Sequence, residues 1–162
     1  MIVKALIIIV GLFLLLFVEG FFSSLFSFSI LILLLLILMD RWNWKNWSIF
    51  AVISTLVTDI LLHRPVGITL LVVSISLTVL YLLFLIMPKK QVVLSYIPYF
   101  FAVFLYYLLL SLFTPLLQDG VWGVLSWIGI VGYVVRAIVT VILIFLSSKV
   151  IENFRSNEDL LV

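Results

Sequence analysis

Few residues of this chain could do chemistry, and the most informative lie in Thr58–Leu71, TDILLHRPVGITLL. Asp59 is a carboxylate inside an apolar helix, His63-Arg64 forms a short basic turn, and Pro65-x-Gly67 opens the next apolar run. Ionisable groups at membrane depth are costly and by default mark a functional site or a buried partner. Arg136 is the other charge inside an apolar run. Counting turns from the ends of their predicted helices puts Asp59 and Arg136 at similar depth, where a pair would satisfy both in a low-dielectric interior. Such a pair would show as coupling between substitutions at the two positions. Two other readings stay open: a ligand- or proton-handling role, or Arg136 reaching the interface along its aliphatic stem.

Other chemistry finds little support. His63 is the only histidine, with no second His, Cys or helical carboxylate beside it, so it reads as a solvated turn residue and not as a metal ligand. The absence of cysteine excludes disulfides, thiolate metal sites and a Cys nucleophile. There is no G-x-S-x-G, no H-E-x-x-H, no second intramembrane Asp and no Walker loop. A non-enzymatic chain without a cofactor is expected. Softer polar groups, Ser23 and Ser27, then Ser74, Ser76 and Thr78, then Tyr96, Tyr99, Tyr106 and Tyr107, either mediate helix packing or line a small-ligand cavity.

The elements that must position these groups are apolar helices. The 162 residues are 67% hydrophobic and 10% charged, with a mean hydropathy of +1.48. A soluble fold cannot hide that much apolar side chain, so the chain reads as an integral membrane protein. Its net charge of +2, without a basic patch, gives no footprint for nucleic acid. An all-α bundle forming a single integral membrane domain, 1–162, is predicted, with spans at about 2–18, 21–39, 47–62, 66–87, 92–117 and 130–148. Residues 121–127 read as an interfacial piece and 149–162 as a polar cytoplasmic tail that frays. The first stretch lacks a small-x-small cleavage site, so it reads as a retained helix, broken at Glu19-Gly20. Pro98 is expected to kink the fifth span and Pro115 to break its far end. Trp42, Trp44 and Trp47 fit an interfacial aromatic belt. With both termini inside, Lys4, Arg41, Lys45, Lys89, Lys90, Lys149 and Arg155 fall on the cytoplasmic side, and Arg64, Glu19 and Asp119 outside.

On these residues the chain resembles MreD, the small membrane component of the bacterial rod-shape (elongation) machinery. The resemblance is carried by the length, the short tail and the central region SILILLLLILMDRWNWKNWSIFAVISTLVTDILLHRPVGITLLVVSI. The family pattern is an apolar helix, a short basic loop, a helix ending in Asp-hydrophobic, then Pro-hydrophobic-Gly and another apolar helix. Asp59, Pro65 and Gly67 occupy those positions, with Arg64 in the turn. The chain departs from it at Phe28-Ser29, where the family often has a proline, and at Arg136, where it often has a small polar residue. The resemblance implies a scaffold in the bacterial inner membrane. It would work with an MreC-like protein, the MreB filament and the glycosyltransferase–transpeptidase pair that builds lateral wall. Contacts would run through helix faces in the bilayer and through the loops around Arg41–Lys45 and Lys89-Lys90.

The chain is also similar, in size, span number and Asp/Gly hairpin, to the substrate-binding S subunits of energy-coupling-factor vitamin transporters. The interior near Asp59, the fourth span and Tyr99–Tyr107 separates the two. An S subunit must enclose a pocket of roughly 300 Å³ or more, lined by convergent polar groups and open to the outside, whereas a scaffold can be packed solid there. The first helix offers an energising subunit only Ala5 and Gly11, which do not share a stripe, and this favours the scaffold.

Overall fold

The computed structural model describes residues 11, 14, 17–23, 28–39, 41–87 and 96–158, with side chains to residue 150. The first span's opening, with Lys4 and Ala5, and the Pro88-Lys89-Lys90 turn lie outside the described residues, as do Ser24 and Ser27. The described residues are helical, with no strand. After helical residues 17–23 come α1 (Ile30–Met39), α2 (Trp44–Leu61), α3 (Ile68–Ile86), α4 (Ile97–Asp119) and α5 (Trp127–Glu158). Three of these, α3, α4 and residues Trp127–Val150 of α5, are long and apolar enough to cross a membrane, while α1 is apolar but short.

The helices pack in chain order, α2 on α3, α3 on α4 and α4 on α5, and α1 lies against both α2 and α5. Leu31, Leu35, Val72, Val103 and Ala137 are wholly buried at these contacts. The outer faces stay apolar: Ile86 is 78% exposed and Ile128 85%. Apolar surface on this scale suits lipid and not water. The ends of α2 and α4 meet the starts of α3 and α5 at one end of the bundle, the hairpin end, where Gln118 Nε2 donates to the His63 carbonyl (2.9 Å).

Several boundaries differ from the sequence expectation, each for a local reason. The backbone stays helical through Glu19 and Gly20 to residue 23, so the expected break falls later, and α1 begins only at Ile30. Glu19 does not face water there; it is 2% exposed and reaches forward to α1. Trp47 belongs to no interfacial belt, because its indole is buried and donates across to the Leu35 carbonyl of α1 (2.9 Å). Trp42 and Trp44 are exposed. Pro98 opens α4 without kinking it, since a proline in the first turn needs no N–H donor. Nor does Pro115 end that helix, which runs on to Asp119 and closes on left-handed Gly120 (φ 70°), whose N–H donates to the Leu116 carbonyl (3.1 Å). At the far end α5 continues past Ser148 to Glu158, through residues that include no Gly or Pro to stop it.

Residues 121–126 are not helical and fold back on α4. Pro115 has no N–H, so the Ser111 carbonyl lacks its usual intrahelical donor, and Gly123 packs directly against it. A Cβ on Gly123 would lie 2.2 Å from the Ser111 oxygen. The Gly123 N–H reaches the Leu112 carbonyl (3.4 Å), and Trp122 meets Phe113 at 6.3 Å between ring centroids. Gly123→Ala is therefore expected to destabilise the detergent-purified protein by about 1–3 kcal/mol through overpacking. Gly132→Ala, whose Cβ would meet nothing nearer than Arg136 Nη2 at 4.0 Å, should be neutral or stabilising. Thermal unfolding of the two variants side by side checks this.

Candidate functional site

Asp59 ends α2 and is 0% exposed. Its Oδ2 accepts the Gly67 N–H (2.8 Å), the Thr69 N–H is shared between Oδ2 and Oδ1 (3.2 and 3.3 Å), and the Thr69 hydroxyl donates to Oδ1. These are the first amides of α3, which have no intrahelical acceptor, and a carboxylate placed there also meets the positive end of the helix dipole. The turn is shaped to allow it. The Arg64 N–H donates to the Asp59 carbonyl (2.9 Å), the Ile68 N–H to the Pro65 carbonyl (3.2 Å), and His63 adopts a left-handed backbone (φ 53°) with its side chain exposed. Gly67 sits at φ 92°, a conformation side chains rarely tolerate.

Glu19 does the same for α1. Its Oε1 accepts the Ser29 hydroxyl (2.8 Å) and its Oε2 the Leu31 N–H (2.8 Å). In both cases the hydroxyl lies ten residues beyond the acid. The sequence reading placed Glu19 at a helix end facing outward and missed its role. The repeated acid-to-hydroxyl spacing, each time at the start of an apolar run, was the signal that could have found it.

The expected Asp59–Arg136 pair is not formed. Every contact of the Asp59 carboxylate is to donors of its own hairpin, and the Arg136 guanidinium lies over the Tyr107 and Tyr133 rings, 5.6 and 5.8 Å from their centroids. Equal depth did not suffice, because α1 packs against both α2 and α5 and the hairpin supplies closer donors. Among the described residues, neither Arg64 nor Arg136 makes an ion pair. No group of His, Cys, Asp or Glu among them could hold a metal ion.

The two arginines instead share a cavity of about 320 Å³, walled by Ser23, Ser29, Tyr106, Tyr107, Ser111, Thr114 and Tyr133. The Ser29 N–H donates to the Tyr107 hydroxyl (2.9 Å), and the Tyr106 hydroxyl makes a long bond to Ser29 Oγ (3.4 Å). This network hangs the cavity wall from the Glu19 cap. A wider groove of about 480 Å³ runs between α2 and α3, but it is lined by Trp47, Val73, Leu77 and Phe84. Ser74 and Thr78 border that groove with hydroxyls bonded to their own helix, and Ser76 is buried without a partner. Tyr99 and Tyr96 take no part in the polar cavity: they pack on Phe84 and Phe145, at 5.4 and 5.5 Å.

Compared with known proteins, the chain matches no family model, no curated protein and no solved structure.

Asp59→Ala leaves buried amides at Gly67 and Thr69 without their charged acceptor, and a loss of about 2–4 kcal/mol is expected. In double-mutant cycles Asp59 should couple to Thr69, whereas Asp59 and Arg136 should add within about 0.5 kcal/mol. Thermal or denaturant unfolding of the singles and doubles reads both.

Proposed function

We propose that this chain is a multi-pass protein of the bacterial inner membrane, a non-enzymatic scaffold of cell-wall elongation resembling MreD. The observation that supports it is that the residues carrying the resemblance act as one physical unit. Asp59 holds the Gly67 amide, Gly67 supplies the left-handed backbone that presents it, and the Pro65 carbonyl accepts the Ile68 N–H at the start of α3. An Asp whose oxygens are all engaged by its own hairpin serves architecture and not proton transfer. In this reading six spans place both termini in the cytoplasm, with the exposed Arg41–Lys45 loop inside and the hairpin end outside. Partners of the kind the family uses, an MreC-like protein, the MreB filament and the glycosyltransferase–transpeptidase pair, would meet the outer helix faces and that basic loop.

One observation favours a second reading. The cavity of about 320 Å³, with its hydroxyls and guanidinium groups, has the volume and polar lining expected of a transporter S subunit, and lies at Tyr106 and Tyr107 and not at Asp59 or α3. A scaffold has no need of it.

Depletion in a rod-shaped host, with cell width followed by microscopy, separates the two. Rounding is expected for the scaffold. Unchanged shape, together with a vitamin-like molecule co-purifying with sub-micromolar affinity, would replace it with the transporter reading. The span arrangement has its own check in this naturally cysteine-free chain. Asn43→Cys should resist an impermeant thiol reagent applied to intact cells, and labelling from outside would overturn six spans.

A further inference from the structure

We propose that the cavity between the start of α1, α4 and α5 is an oxyanion site, taking a small organic molecule through a phosphate or carboxylate group held by Arg64 and Arg136. The argument begins with charge. Both guanidinium groups line a cavity only partly open to solvent, and neither is ion-paired among the described residues. The nearest carboxylates are engaged elsewhere, Glu19 by Ser29 and Leu31 and Asp59 by Gly67 and Thr69, and Glu19 attracts Arg64 only at longer range than an ion pair. A half-buried guanidinium in an apolar bundle calls for an anion, and its planar fork matches the two oxygens of a carboxylate or phosphate.

The remaining donors agree with that class. Arg136 is held by stacking over Tyr107 and Tyr133, a contact that leaves its N–H groups free to bond. Tyr106 is 1% exposed, and its hydroxyl makes only the long 3.4 Å bond to Ser29 Oγ, so a better acceptor in the cavity would take its proton. Ser29, itself 6% exposed, is held by Glu19, and its N–H fixes the neighbouring Tyr107 hydroxyl. The volume of about 320 Å³ admits an organic body beyond the anionic group. The group could belong to a soluble molecule or to a lipid head; the same donors would read either. This inference is independent of the scaffold reading, whereas it shares its cavity with the transporter reading.

The test uses the full-length chain in phosphatidylcholine nanodiscs, with unfolding followed by tryptophan fluorescence. Inorganic phosphate, glycerol 3-phosphate and acetate are titrated at constant ionic strength. A second arm compares phosphatidylglycerol with phosphatidylcholine nanodiscs and no added anion. A saturable rise in Tm in the first arm assigns a soluble ligand, and a rise in the second assigns a lipid head. In either arm Arg64→Gln and Arg136→Gln should weaken the response about tenfold or more, while Lys45→Gln, far from the cavity, should not. The Arg64 side chain makes no bond within the described structure, so Arg64→Gln folds and remains informative if Arg136→Gln does not. No saturable shift in either arm, or equal shifts in wild type and Arg64→Gln, would overturn the assignment.

Discussion

A helix that starts inside an apolar bundle leaves its first amide N–H groups with no acceptor in its own backbone and no water to supply one. The hairpin end of this protein is built around that constraint. The α3 amides are taken by Asp59, delivered from the end of the preceding helix, and the α1 amide of Leu31 by Glu19. Each carboxylate thereby gains the donors that make its own burial tolerable. The turn chemistry follows from the same need: left-handed Gly67 aims its N–H back at Asp59, and the Gln118 side chain ties the turn to the end of α4.

A second consequence concerns the cations. With both acids held by backbone and hydroxyl donors, neither Arg64 nor Arg136 forms an ion pair with them among the described residues, although Glu19 still attracts Arg64 at longer range, and the two arginines are gathered around a polar cavity. Tyr107 links the two systems, since its hydroxyl accepts from Ser29 while its ring lies under Arg136. The positive character of the cavity thus follows from how the helix starts are capped. Electrostatics at this end of the bundle are divided in two, acids for structure and bases for the cavity.

Much of this organisation was legible in the sequence, and the part that was not has a physical explanation. Long apolar runs declared the helices of α3, α4 and α5, and Pro65-x-Gly67 declared the turn. Depth along a helix can be counted at about 1.5 Å per residue, but which neighbour a side chain faces depends on packing order, so Arg136 was matched to Asp59 although α1 packs against both of their helices. Glu19-Gly20 looks like a terminator because one dimension carries no information about burial. The tyrosines of α4 look equivalent in sequence, yet Tyr99 and Tyr106 lie about two turns apart; one packs on Phe84 and the other lines the cavity. Nothing in the sequence around Gly123 marks it out, because its requirement comes from a carbonyl that Pro115 leaves free on another segment.

The claim that carboxylates from the preceding helices hold the helix starts is tested most directly by amide hydrogen exchange, resolved by residue, in lipid nanodiscs. First-turn amides without an acceptor exchange readily, whereas bonded buried ones are protected. Gly67, Thr69 and Leu31 are expected to exchange as slowly as the interior of α3, with Gly67 and Thr69 losing protection in Asp59→Asn and Leu31 in Glu19→Gln. Rapid exchange at these three amides in the wild-type protein would contradict the account.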